Sequence, residues 1–497
     1  MILASAALSH FAVLINDVFL LRWQAEHLST GAPESFFNGF FPIGYPLVLR
    51  AVSFTGNPVL SLMLVQIALA PLYATLVYRL FIRLDLTDVH DARKISNGWR
   101  TMAIALPLAL FAPPVIHAIP SATPDFFAAL AVLTGFLFIT HEGRWNFILA
   151  GAFVGLGCLF RSHVLVLLLT ISLSLLLFHN EQRVRAFVSF FGGTLPFVIA
   201  QGLLQLWSGH GFLENAQAFN IWKTMHGMDW SNPPALGHAR ALGVILEDPM
   251  LFVTATFNWL LQYSFYLIPL VGIVILAYVK FRSGGTPVSR TLLLLALASL
   301  AYLGVTAAGA SVSAFTPIIP VVAACVIPLV EFILSRRSNV FRTRTIATIT
   351  ILVWLGGLIG LFISTMHVKT RAEDYVQIEQ MLRVHSRSDA LAIYTDDYDL
   401  YFPSLVYQTP RTSGGWAEMG LPGYLDKFPH IRNTSAETEY ADLIQNGVTW
   451  AIFRIPPYDP RGYKSVSSDT TRFRLTYRTP LHEIYRVEPH MDGGGRR

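Results

Sequence analysis

Charge is scarce in this sequence. Only 13% of the residues are Asp, Glu, Lys or Arg, about half the share of a soluble domain. A chain solvated over its whole surface is excluded by that shortage. Cysteine is nearly absent: Cys158 and Cys325 are the two in the chain, and both fall inside apolar runs. They form neither a disulfide framework nor a cysteine zinc site. Walker, HExxH and GxSxG patterns are missing, which removes motif-level support for a P-loop NTPase, a zinc peptidase or an α/β-hydrolase. Short alternating segments of the membrane-barrel type are missing too. No internal repeat is present, and the only low-complexity segment is the terminal GGGRR.

What is there is apolar, at 53% of the chain. Long runs begin at Asn57, Pro249 and Thr345, each long enough for the roughly 20 apolar residues of a spanning helix. In lipid the backbone must satisfy its own hydrogen bonds, so these runs predict helices. The pattern predicts an α-helical polytopic membrane protein with about eleven spans, at 1–15, 58–82, 101–119, 123–140, 146–160, 163–179, 187–207, 250–279, 291–309, 315–334 and 346–366. The first is short for a bilayer, and part of helix 1 is expected upstream of Met1. Arg79, Arg83, Arg93, Lys94 and Arg100, and later Arg336, Arg337, Arg342 and Arg344, fall in loops on one side. The opposite loops carry far fewer cations. The positive-inside bias then places loops 16–57 and 208–249 outside. The net charge of +5 is accounted for by these helix ends and gives no sign of nucleic-acid binding.

After Met366 the composition becomes that of a soluble domain. DALAIYTD and VTWAIFRI read as strands, and AETEYADLIQNG between them reads as a helix stopped by Gly447. The expected organisation is a transmembrane domain over 1–367 and a small α/β domain over 368–497 on the outer side.

The first outer loop is the most informative segment. Asp17 sits where helix 1 should leave the membrane, DVFLLRWQAEHL has the pattern of an interfacial helix, and PIGYP breaks regularity at Pro42 and Pro46. This loop resembles that of the membrane glycosyltransferase C superfamily, especially the dolichyl-phosphate-mannose protein mannosyltransferases and the bacterial aminoarabinose-transferase-like enzymes. SATPDFFAALAVL, LAGAFVGLGCLFRSHVLVLLL, FTPIIPVVAACVIPLV and LIQNGVTWAIF resemble later segments of the same superfamily. Two departures stand out. SVSAF occupies the place where many relatives carry a basic or Arg-Tyr pair, and Asn16 stands where some have a second acid.

The resemblance implies transfer of a sugar, with inversion, from a polyprenyl-phosphate carrier to a lipid, polysaccharide or protein acceptor on the outer face. A bacterial inner membrane is the expected location. The chemistry needs a base for the acceptor proton and positive charge on the departing phosphate. Asp17 is the expected base; capping of the helix that follows is its bland alternative. Asp125 follows Pro124 and reads either as a second catalytic acid or as a residue favoured by a helix dipole. Arg161 lies between apolar runs, where an unpaired cation costs about 2.5 kcal/mol or more. Its partner is a carrier phosphate or a buried structural acid. Tyr45 is a candidate lining of a sugar pocket or an interfacial anchor. Glu26 is a candidate substrate contact on a helix face that otherwise reads as solvated, as does its neighbour His27. Lys223 and His226, in KTMHGMDWSNPP with Asp229 and Trp230, are candidate contacts to acceptor or carrier phosphate. His163 reads as packing. Asp396, Asp397 and Asp399 read as a polar turn rather than a metal site, and no cofactor is expected. Asn433 opens a glycosylation sequon of low information. A transporter or flippase, and a non-catalytic relative whose outer domain binds partners, remain the competing readings.

Overall fold

The computed structural model describes residues 41–52, 58–84, 105–119, 123–141, 143–178, 183–213, 241–282, 290–306, 312–334, 390–394, 448–454, 470–480 and 482–488, together with short pieces at 24–25, 28–31 and 344–359 and a few single positions. Apolar helices dominate. In chain order they are α1 (Gly44–Ala51), α2 (Pro58–Arg83), α3 (Pro113–Ala118), α4 (Asp125–Ile139), α5 (Arg144–Phe160), α6 (Val164–Phe178), α7 (Arg183–Trp207), α8 (Ala241–Glu247), α9 (Pro249–Gln262), α10 (Ser264–Arg282), α11 (Arg290–Thr306) and α12 (Ile319–Leu334). A 3-10 turn, Val312–Ile318, leads into α12.

Among the described residues, Leu64–Arg83 and Arg183–Trp207 are long and apolar enough to cross a membrane by themselves. Shorter apolar helices at Asp125–Ile139, Arg144–Phe160, Val164–Leu177 and Arg290–Thr306 accompany them. Their outward sides are oily: Leu169, Leu173 and Leu177 on α6, and Val188, Leu195, Ile199 and Leu203 on α7, are exposed. Faces of that kind are stable against lipid rather than water, and the chain is an integral membrane protein.

Two expected spans are interrupted. The run at 250–279 divides into α9 and α10, with Tyr263 between them in a non-helical conformation (φ −98°, ψ 22°); the two pieces are bent by 98°. Pro269 within α10 lacks the N–H that would bond back one turn, which weakens helical continuity from the other side. The run at 101–119 likewise breaks at Phe111–Ala112, where Pro113 and Pro114 start α3. Prolines at a first helical turn cost nothing there but cannot continue the helix before them. Span 1–15 lies outside the described residues, and 346–366 is described only in part.

Two helix contacts set the geometry around the start of α4 and the end of α5. α4 and α5 form an antiparallel pair: Gly135 lies against Ala150 and Val154, and Gly157 lies against Val132 and Ala128. That register brings the start of α4 level with the end of α5. α5 and α7 run parallel, joined through small residues. A side chain on Gly151 would collide with the Phe190 carbonyl, one on Gly193 with the Ile148 carbonyl, and Gly155 lies on Thr194. Small residues let helix backbones approach in lipid, where dispersion and not hydrophobicity drives packing.

The C-terminal region contains β1 (Ala390–Tyr394), β2 (Val448–Arg454), β3 (Phe473–Arg478) and β4 (His482–Val487). The sheet order is β1-β2-β4-β3; β1 and β2 are parallel, and β3–β4 is an antiparallel hairpin. β1 and β2 fall on the two segments read as strands from sequence. A parallel pair requires a crossover between its members, and the segment expected as a helix lies in that interval, outside the described residues apart from the helical Ile444. The hairpin was not anticipated.

Candidate functional site

The antiparallel register of α4 and α5 has a direct chemical result. Asp125 is the first residue of α4, and Arg161 is the residue at which α5 ends and the chain becomes extended (φ −143°, ψ 121°). The Arg161 guanidinium donates from Nε to Asp125 Oδ1 and from Nη2 to Asp125 Oδ2, both at 2.8 Å. The side chains are 11% and 1% exposed, so this is a buried, bidentate, charge-assisted pair. It answers the cost of an arginine at this depth, and it is the buried acid that the sequence admitted as one partner of Arg161. The Asp125 carboxylate also sits in the first turn of its helix, where the dipole favours negative charge.

The surroundings come from four parts of the chain. α1 packs on the end of α5 because Gly44 has no side chain: a Cβ there would meet the Leu159 carbonyl oxygen at 2.5 Å. This seats Tyr45, fully buried, edge-on to Phe127 at 6.1 Å, with Phe127 stacked on Phe160 at 5.6 Å. Burial pushes the Tyr45 phenol well above its usual range, Asp125 pushes it further, and Arg161 opposes them; the group is a neutral hydroxyl. Its oxygen is buried without a hydrogen-bond partner. The Phe41 ring lies 6.0 Å from the guanidinium carbon of Arg161, within reach of a cation–π contact. Gln66 on α2 donates from Nε2 to the Thr123 carbonyl at 3.0 Å, fixing the turn that delivers Asp125.

His163 completes the cluster from the turn between α5 and α6. Its Nε2 is buried without a hydrogen-bond partner. Its ring lies 6.2 Å from that of Tyr302 on α11. The Tyr302 hydroxyl in turn donates to the Ala314 carbonyl at 2.7 Å, tying α11 to the 3-10 turn.

Three expected site residues, Tyr45, Asp125 and Arg161, thus meet in one place. Asp17, Glu26, Lys223 and His226 lie outside the described residues. Phe41 and Tyr302 were not anticipated, and His163 was read as packing. Tyr302 carried a signal, the one aromatic hydroxyl within LALASLAYLGVT. Phe41 carried none, being one aromatic among several. Among the described residues, no three His, Cys, Asp or Glu side chains come together as metal ligands.

Apolar helices followed by a small sheet recur in solved membrane enzymes. The chain is similar in fold to ArnT from Cupriavidus metallidurans, solved bound to undecaprenyl phosphate: TM-score 0.52, 13% identity, 99% of this chain and 98% of that one covered. The apo state of the same enzyme gives a TM-score of 0.50 at 13% identity, over 98% and 97% of the two chains. The oligosaccharyltransferase AglB from Archaeoglobus fulgidus, in complex with an inhibitory peptide and a dolichol-phosphate, aligns with a TM-score of 0.47 at 13% identity, over 91% of this chain and 69% of that one. No family model matches the chain, and no curated protein matches it by sequence.

Proposed function

We propose that the protein is a membrane glycosyltransferase that takes a sugar from a polyprenyl-phosphate carrier and passes it, with inversion, to an acceptor on the outer face. The observation that carries this reading is the likeness to ArnT over nearly the whole length of both chains. A chance resemblance among apolar helices does not extend through the soluble region as well. In this reading Asp17 takes the acceptor proton as the anomeric carbon is attacked. The outer cluster supplies the polar end of the site. Arg161 provides positive charge toward the departing phosphate, Asp125 holds its guanidinium in one orientation, and Tyr45 offers a neutral hydroxyl to the sugar. Glu26, Lys223 and His226, from the two long outer loops, are assigned to acceptor and carrier contacts. The membrane body accommodates the lipid tail, and no resident cofactor is needed for transfer between two oxygen nucleophiles.

The test is a purified-protein assay in lipid with a panel of polyprenyl-phosphate sugars and a membrane extract as acceptor, sugar loss being followed by mass spectrometry. Loss from one carrier, abolished in Asp17→Asn with the fold intact, is the expected result. No consumption of any carrier across the panel would remove the proposal's support and leave transport as the reading to pursue.

A further inference from the structure

α7 buries one stripe and exposes the rest. Its buried residues are Ala186, Ser189, Phe190, Gly193, Thr194, Gln201, Gly202 and Gln205. The first part of that stripe is mostly small, with Phe190 as the exception, and Phe190, Gly193 and Thr194 pack on α5. The later part is different in kind: two glutamines, one turn apart, 4% and 2% exposed. Both polar atoms of the Gln201 carboxamide, and the carboxamide oxygen of Gln205, are buried without a hydrogen-bond partner. In lipid such side chains ordinarily bond across to a neighbouring helix; these do not.

The register shows where they sit. Gly155 of α5 lies on Thr194 of α7, and the two helices run parallel. Arg161 is six residues beyond Gly155, and Gln201 is seven beyond Thr194. At 1.5 Å per residue these are rises of about 9 Å and about 10.5 Å. Gln201 is therefore level with Arg161. Gln205 stands one turn higher, past the end of α5, on the stripe that faced α5 below. α7 is longer than α5 at this end, and its overhang is where the apolar stripe turns polar. Beyond Gln205 the chain turns back at Gly209, which has a φ of 82°, and the Phe212 ring closes on Gly202.

We propose that Gln201 and Gln205 are a recognition pair for the hydroxyl groups of an uncharged sugar, set beside the charged cluster. A carboxamide offers donors and acceptors together, which matches a polyol, whereas a phosphate would be met by cations. The inference rests on the transferase reading and adds a subsite to it. The hydroxyls belong to the donor sugar or to a glycan acceptor, and the two are separable by experiment.

The full chain in lipid nanodiscs is compared with Gln201→Leu and Gln205→Leu. The probes are undecaprenyl phosphate and a panel of undecaprenyl-phosphate hexoses and pentoses. Binding is read directly, and KM for carrier and for acceptor is read from sugar transfer. Each variant is expected to weaken binding of the sugar-bearing carrier about tenfold, the scale of one lost hydrogen bond at a buried neutral group, and to leave undecaprenyl phosphate binding unchanged. If the acceptor is the polyol, its KM rises about tenfold instead, which equally supports the pair. Without substrate both variants should unfold at a higher temperature than wild type, since unsatisfied buried amides have been removed. Wild type that transfers sugar while both variants keep both KM values within about twofold would overturn the inference and leave the transferase reading standing. Wild type that binds neither undecaprenyl phosphate nor any sugar-bearing form would overturn both.

Discussion

Replacing Asp125 by Asn keeps the shape of the side chain and removes its charge. Arg161 then stays buried, at 11% side-chain exposure, facing an amide in place of a carboxylate. Breaking one side of a buried pair costs about 3–5 kcal/mol, because the remaining charge is left without its counterion. Exposed pairs cost about 0–1 kcal/mol, so the two cases are well separated. The bonds here are two, both at 2.8 Å, and the whole Asp125 carboxylate is engaged. Asp125→Asn and Arg161→Leu should each lose stability near the upper range, whereas the double variant Asp125→Asn/Arg161→Leu should recover much of the loss, since it buries no charge. The assay is a double-mutant cycle on unfolding free energy in detergent, with activity set aside. A single-variant loss below about 1 kcal/mol, or a double variant that loses the sum of the singles, would refute the view that this pair is a buried structural tie.

Other outcomes follow from the same structure. Gly193→Leu should separate α5 from α7 and prevent a monodisperse folded protein, read by size-exclusion after extraction, because the Ile148 carbonyl occupies the space of the new side chain. Tyr302→Phe should lower stability by about 1 kcal/mol through loss of the bond to Ala314, and full stability in this variant would count against that bond.

The membrane body was legible because its signal is composition over long stretches, and lipid imposes helices on such stretches without regard to detail. The positions of breaks were less so. Tyr263 sits between Gln262 and Ser264, a polar step too short to stand out within a long apolar run, and the bend reveals that two helices meet there. The pairing of Asp125 with Arg161 was half legible: each stood out as a charge among apolar residues, but their meeting depends on an antiparallel register fixed by Gly135 and Gly157. Gln201 and Gln205 were hidden because two amides do not change the character of a 25-residue apolar helix, and which face they occupy depends on neighbours. The β3–β4 hairpin was missed for a different reason. Its strands, FRLTYR and HEIYRV, alternate with arginines, and a short polar alternation reads from sequence as easily as loop.

The order of the sheet governs when this protein can finish being made. β4 is the last strand in the chain order described, yet it lies between β2 and β3 and is bonded to both. Synthesis delivers β1, β2 and β3 before the strand that joins β3 to the others exists. Until His482–Val487 emerges, β2 has an open edge and β3 has no partner. Open edges pair with whatever strand is near. A reading frame ended between Arg454 and His482 therefore leaves the apolar helices intact and carries an unfinished sheet with an adhesive edge.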